Sequence, residues 1–218
     1  MKNEEKANES NRRMFLKKAA LAGFVTTVGT GTAYANESGG KSAEELAREV
    51  ENADDPEEAF RRLSKGEQKK VVRYLTVTDH RVEVTDGNGN ALTTEDASAM
   101  ASGCKSVTAN WIGVNGSGEE LYRYNQQVDW CYDGSTVSNT YRRRWGDTDS
   151  AFWQFVGHKD NTERGGDGNS FYESWTQGHF RLCAGGNIGC VQHTYPWIET
   201  FVRSDGSYTT DSNEGSQL

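Results

Sequence analysis

Two patterns of apolar positions divide the chain. Between residues 41 and 75 the apolar positions recur at helical spacing, and two capping boxes mark helix starts. These boxes are Ser42 with Glu45 and Ser64 with Glu67, in which a hydroxyl and a carboxylate satisfy the free N–H groups of a first turn. An Asp-Pro pair between them is typical of a further start. The pattern therefore predicts two or three short helices.

From Lys105 onward apolar and polar positions alternate, which is typical of half-buried strands. We expect Val137, Tyr141 and Trp145 to share one face of the third strand. Glycine-rich turns separate the strands. The predicted strands begin at Lys105 and continue over Tyr122–Tyr132, Val137–Trp145, Phe152–Val156, Phe171–Thr176, His179–Cys183 and Val191–Val202. This pattern predicts a mainly β fold, an antiparallel β-sandwich or small barrel with a short α-helical N-terminal segment.

These patterns suggest a division of the chain into five parts. They are an export signal over residues 1–35, a helical segment over 41–75, a linker with one hairpin over 76–103, a disulfide-bonded β-sandwich over 104–204 and a flexible tail over 205–218.

The N-terminus resembles a twin-arginine export signal. Arg12 and Arg13 precede a Phe-Leu-Lys run, and an apolar stretch over residues 19–28 follows them. That stretch is too short to span a bilayer, which takes about 20 apolar residues. A small-x-small cleavage pattern ends at Ala35, so we expect the mature chain to start near Asn36. The resemblance implies export of an already folded protein to the cell surface or the medium, without a membrane anchor.

Composition narrows the class of protein. Aromatic residues make up 11% of the chain, which argues for a folded domain. The formal net charge is −8, and the first 35 residues carry six basic and three acidic side chains, which leaves −11 for the remainder. Such a charge argues against nucleic acid or an anionic membrane as partner, because both attract clustered Lys and Arg. An acidic, lysine-poor chain resembles proteins from halophilic sources.

All four cysteines lie in the β part, and an even number in an exported protein predicts two disulfides. Three connectivities are open. A flexible turn separates Cys183 from Cys190, so their pairing needs little chain closure and leaves Cys104 with Cys131.

A zinc site competes with the disulfides. His179, Cys183, Cys190 and His193 have ligand types that zinc binds in tetrahedral sites. However, residues four apart on a strand lie about 13 Å apart, so His179 and Cys183 do not ligate one ion unless the strand breaks. We therefore predict no metal and no cofactor.

The sequence contains no known catalytic motif, so we do not assign the chain as an enzyme. A secreted hydrolase is still an alternative, because catalytic groups need only meet in space. Its candidates are His158, His179 or His193 with Asp129, Asp147, Asp149 or Asp160.

Binding is the preferred hypothesis, since all six tryptophans fall in predicted strands. Trp153 and Trp197 are the candidates to face solvent and to stack on a sugar ring or a protein partner, because apolar neighbours can fill the inner face in their place. Arg142, Arg143 and Arg144 form a basic cluster that alternation splits between two faces, which favours pairing with carboxylates over a shared anion site.

The stretch from Gln177 to Cys190, with Tyr195-Pro196-Trp197 and the Asp129–Gly134 run, resembles small exported proteins of unknown role from haloarchaea and actinobacteria. The resemblance brings no catalytic residue. We expect an exported, non-catalytic protein that binds a carbohydrate or a surface protein. The alternatives are a secreted hydrolase, or an antimicrobial or toxin-like factor with a removable N-terminal segment.

Overall fold

The structure is a computed structural model that describes residues 40–96, 102–185 and 189–214. The export signal expected around Arg12, Arg13 and Ala35 lies outside the described residues. Three helices come first: α1 (Ala43–Glu51), α2 (Pro56–Arg62) and α3 (Lys65–Leu75). The strands are β1 (Asp79–Asp86), β2 (Ala91–Leu92), β3 (Glu95–Asp96), β4 (Gly103–Val114), β5 (Glu120–Tyr132), β6 (Val137–Thr148), β7 (Trp153–Gly165), β8 (Phe171–Cys183), β9 (Cys190–Thr194), β10 (Pro196–Arg203) and β11 (Tyr208–Glu214).

The helices begin where their caps predict. Both capping boxes form, and the side chain of Asp55 accepts the bond that starts α2. Each helix buries one apolar side, on which Leu46, Phe60 and Val71 are fully buried. They join one hydrophobic cluster with residues of the sheets, so the helical segment is part of the sandwich core.

The strands form two antiparallel sheets packed as a sandwich, and the sheets do not close into a barrel. The five-stranded sheet has the order β2-β1-β4-β5-β6. The six-stranded sheet has the order β3-β11-β10-β8-β7, and β9 also pairs with β8. Sequential strands are therefore mostly neighbours, which is the arrangement that short glycine-rich turns favour.

Two expected boundaries are wrong. The expected linker contains β1, whose whole length pairs with β4, and the predicted hairpin joins β1 to β2. The expected flexible tail contains β11, which pairs with β10 along seven residues. Both strands are polar, and strands at or near a sheet edge carry little alternation because only one side packs.

The predicted strands around Gly178 are also one strand. β8 runs without a break, because Gly178 accommodates the ring of Tyr124: a Cβ there would lie 2.7 Å from that ring. Conversely, the predicted strand Val191–Val202 is two strands, β9 and β10.

The face predicted for β6 is wrong as well. Val137 is buried, but Tyr141 is 59% exposed and Trp145 is 36% exposed. The register between β5 and β6 shifts near Asn139, which has a φ of 51°. An extra residue at such a bulge moves every later side chain to the opposite face.

A polar layer crosses the interior between two hydrophobic clusters. Gln126 is fully buried, its amide donates to Ser174, and its carbonyl oxygen accepts from the Thr200 hydroxyl at 2.5 Å. Buried polar groups need such partners, because an unpaired one costs about 1–3 kcal/mol.

Within the described ranges, no helix has the length and apolar character needed to cross a membrane.

Candidate functional site

The two tryptophans expected to face solvent lie in different environments. Trp153 is only 2% exposed, and its Nε1 donates to the carbonyl oxygen of Leu75 at 2.9 Å, so its expected role in binding is wrong. It occupies the inner face because it covers the end of α3. Trp197 is half-buried on the outer side of the six-stranded sheet, where its neighbour Ile198 fills the core instead.

Trp197 belongs to a regular surface on β8 and β10, which we call the aromatic face. Four cross-strand pairs line it, and each joins one aromatic ring to one polar side chain. The pairs are Gln177 with Trp197, Trp175 with Glu199, Glu173 with Phe201 and Phe171 with Arg203. All eight residues are half-buried, whereas the residues that alternate with them point into the core.

The aromatic and polar positions exchange strands from one pair to the next, so every ring has polar neighbours on both strands. The rings of Phe171 and Phe201 stack with centroids 5.3 Å apart and planes inclined by 6°. The guanidinium of Arg203 lies over the Phe201 ring at 4.8 Å. These contacts hold Phe171, Phe201 and Arg203 against one another on the outer side of the sheet, so this part of the surface is a platform and not a deep pocket.

A groove of about 570 Å³ runs beside the platform. Its walls include Glu173, Glu199 and Asp211, and Arg164 reaches across it from β7. The Arg164 guanidinium donates to Glu173 through Nε at 3.1 Å and also through Nη2. The groove therefore offers carboxylate acceptors and the guanidinium groups of Arg164 and Arg203 beside the rings.

Glu173 and Glu199 interact directly. Burial raises the pKa of Glu199, and the hydrogen bond to Glu173 and the charges of Glu173 and Asp211 raise it further. Two neighbouring carboxylates repel each other when both are ionised, so a shared proton relieves the repulsion. The two carboxylates therefore favour ligand groups that donate hydrogen bonds.

A cluster of rings lies on β8, on β9 and at Tyr195, which connects β9 to β10. The ring of Tyr195 stacks on His179 with centroids 4.7 Å apart, and Lys159 Nζ lies over Tyr195 at 4.4 Å. His179 Nε2 and His193 Nδ1 are 2.9 Å apart. Burial lowers the pKa of His179, and the nearby positive groups His193, Lys159 and Arg181 lower it further.

The cysteines form the disulfides Cys104–Cys131 and Cys183–Cys190. These bonds occupy both thiols of the competing zinc hypothesis, so the tetrahedral Cys₂His₂ site is wrong. Among the described residues, no group of three or more His, Cys, Asp or Glu side chains is placed to hold a metal ion. Two disulfides are compatible with an oxidising extracellular compartment.

The structure does not pair the histidines proposed for a hydrolase with the proposed aspartates. His158 contacts Tyr124, and His179 contacts His193 and Tyr195. Within the part of the chain that the structure describes, none of these histidines forms an ion pair with a carboxylate. Asp129 pairs with Arg143, and the Asp147 carboxylate accepts from Asn125. Asp160 lies two residues from His158 on β7, but no hydrogen bond or ion pair joins their side chains among the described residues.

Sequence reasoning missed Trp175, Glu173 and Glu199. Trp175 shares its strand side with Phe171 and Gln177, and two-residue periodicity is enough to find that side. The contact between Glu173 and Glu199 had no sequence signal, because it depends on how β8 and β10 are aligned. No family model, curated protein or solved structure matches this chain.

Proposed function

We propose that the protein acts outside the cytoplasm and binds carbohydrate through the aromatic face. The observation that carries the proposal is the pairing of a ring with a polar side chain in four successive cross-strand pairs. A pyranose ring has an apolar C–H side and hydroxyl groups around its rim. A ligand lying flat on Trp175 or Trp197 therefore brings its hydroxyls against Glu199, Gln177 or Glu173.

The groups around the rings suit hydroxyls as partners. Carboxylates accept strong hydrogen bonds from hydroxyls, and the guanidinium of Arg164 donates to a hydroxyl or ring oxygen. Small-molecule sites combine ring contacts with a few convergent polar groups of this kind. A flat platform of half-buried rings favours a chain of sugars over a small molecule that needs enclosure.

The carboxylate pair favours binding over hydrolysis. In glycoside hydrolases the two catalytic carboxyl groups stand about 5–5.5 Å apart when configuration is retained and about 6.5–9.5 Å apart when it is inverted. Glu173 and Glu199 stand at diagonal positions on one open surface, and Arg164 holds Glu173 in an ion pair, which argues against Glu173 as a free nucleophile or proton donor.

Export by the twin-arginine route is part of the proposal. The motif at Arg12 and Arg13, the cleavage pattern ending at Ala35 and the two disulfides support it. An acidic surface fits a salt-rich medium. The helices and β1 belong to the core and to the five-stranded sheet, which argues against a toxin-like factor released by removing residues 36 to about 100.

Binding is tested by screening the purified mature protein against insoluble polysaccharides and a glycan array, followed by calorimetry with the best ligand. We expect Trp175→Ala and Trp197→Ala to weaken binding about tenfold or more, because truncation of the indole to a methyl group removes most of the surface on which a sugar ring stacks. The matched control is Trp145→Ala, which removes an exposed tryptophan from the other sheet. Loss of binding in the control but not in the other two variants contradicts the assignment, as does the absence of any glycan ligand.

Export is tested separately by the intact mass of protein recovered from the culture medium. We expect a chain starting near Asn36 that carries two disulfides, and retention in the cell when Arg12 and Arg13 are both replaced by Lys. A secreted species starting near Cys104 supports the toxin-like alternative instead. Unchanged export of the double Lys variant rules out the twin-arginine route.

A further inference from the structure

A second cleft lies where β6, at the edge of the five-stranded sheet, approaches β7, at the edge of the six-stranded sheet. Its volume is about 690 Å³. Residues 141–145 of β6 form one wall, and Gln127 and His158 complete the lining. None of the eight residues of the aromatic face lines it, so the two sites are separate.

The three arginines of this wall have different partners. Arg142 pairs with Glu163 at 2.6 Å, and Arg143 pairs with Asp129 at 3.8 Å on the opposite face of the strand. Arg144 has no carboxylate partner among the described residues. Its Nη1 donates to the backbone oxygen of Asp160 at 3.4 Å, and its side chain also contacts the Tyr124 hydroxyl.

Neutral hydrogen-bonding groups surround Arg144. The Tyr124 hydroxyl lies 3.1 Å from His158 Nδ1 and 3.2 Å from the hydroxyl of Thr176. Burial lowers the pKa of His158, and the positive charges of Arg144 and Arg142 lower it further. The interior of the cleft is therefore electropositive, although the whole chain carries a net charge of −8.

The outer rim of the cleft is aromatic. Tyr141 and Trp145 are the most exposed large rings of β6, and both line the opening. They stand four residues apart on one face of the strand, with Arg143 between them. The two rings lie on the side of β6 opposite to Arg144, so a ligand that joins an anionic group to a ring reaches both around the free edge of this strand.

We propose that this cleft binds an oxyanion, a phosphate, sulfate or carboxylate group, with Arg144 as its main partner and His158 as a further hydrogen-bonding group. The planar guanidinium matches the geometry of two oxyanion oxygens, and a partly buried position strengthens the bond. Tyr141 or Trp145 contacts a ring attached to that anion. This inference goes beyond carbohydrate binding at the aromatic face and does not depend on it.

The test is calorimetric titration of the mature protein with inorganic phosphate, sulfate and acetate at constant ionic strength. We expect saturable binding of at least one anion, and Arg144→Gln to weaken it about tenfold or more, as for a charged hydrogen bond. Arg181→Gln is the matched control, since it removes the same charge from an exposed residue that does not line the cleft. Preference for phosphate and sulfate over acetate identifies a tetrahedral anion, and the reverse identifies a carboxylate.

Two results overturn the proposal: no saturable binding of any of the three anions, or equal weakening by Arg144→Gln and Arg181→Gln. If Arg144→Gln does not fold, Arg144→Lys keeps the charge but loses the planar fork, and unaltered affinity in that variant also counts against the site.

Phenyl phosphate tests the ring contact. It should bind several-fold more tightly than inorganic phosphate, and Trp145→Ala and Tyr141→Ala together should remove that advantage; an advantage that survives in the double variant overturns the ring contact.

Discussion

Replacing Trp153 by Phe should destabilise the whole domain, because this side chain connects the helical segment to the sandwich. The indole N–H donates to the carbonyl oxygen of Leu75, the last residue of α3, and both residues are buried. Phe keeps a ring against Tyr122, whose centroid lies 4.6 Å from that of Trp153, but it removes the donor. The variant therefore separates the hydrogen bond from most of the ring packing.

The expected loss has two parts. An unpaired buried acceptor costs about 1–3 kcal/mol. The smaller ring leaves a void of roughly 35 Å³, which adds about 1 kcal/mol at about 24 cal/mol per Å³. The free energy of unfolding should therefore fall by about 2–4 kcal/mol, and the midpoint of urea unfolding by about 1–2 M for a slope of about 2 kcal/mol per M.

The assay is urea unfolding followed by far-ultraviolet circular dichroism and by tryptophan fluorescence. Trp175→Phe is the control, because that ring lies on the outer face and should cost less than about 1 kcal/mol. Hydrogen exchange at the C-terminal end of α3 should also accelerate in Trp153→Phe alone. An unfolding midpoint for Trp153→Phe that matches the control would refute the idea that this bond holds the helices on the core.

Four further changes test other parts of the fold. Replacing Cys104 and Cys131 by Ala should lower the free energy of unfolding by about 3–4 kcal/mol, because the disulfide closes a loop of 27 residues in the unfolded chain. Denaturation with and without reductant measures this loss. A loss below about 1 kcal/mol counts against the loop argument. Glu199→Gln should raise the melting temperature at pH 7, because a carboxyl whose pKa is raised by folding stabilises the protein only while protonated. That gain should disappear below the ordinary carboxyl pKa of 4.5, and a gain independent of pH points to another cause. Gly66→Ala should stabilise α3 by about 0.5–1 kcal/mol, since nothing lies within 4 Å of the added methyl group. By contrast, Gly146→Ala should destabilise by about 1–3 kcal/mol, since its Cβ would lie 2.5 Å from a phenylalanine ring of β7; equal effects of the two glycine changes contradict the packing described for β6.

Local signals were sufficient for the helices and for most strands. A capping box acts within four residues, so Ser42 with Glu45 predicts a helix start without knowledge of the rest of the fold. Two-residue periodicity predicts the buried side of β5, where Tyr122, Val128 and Trp130 all lie in the core. Such signals fail where one side of a strand is not packed, as in β1 and β11.

The candidate site was only partly predictable. Periodicity places Trp197 opposite the buried Ile198, and this expectation holds. The same argument fails for Trp153, because its strand is covered by α3 and not by solvent. No sequence pattern predicts which helix covers which strand end, because the bond between Trp153 and Leu75 joins residues 78 positions apart.

The sequence by itself determined the secondary structure of the helical segment, the sandwich class and the alternation that exposes one side of β8 and β10. Each of these depends on neighbours within a few residues. Only the tertiary structure decided the pairing of Trp175 with Glu199, the diagonal placement of Glu173 beside Glu199 and the position of Arg144 away from every described carboxylate. These features depend on the register between strands distant in the chain, and on a bulge near Asn139 that sends later side chains of β6 to the opposite face.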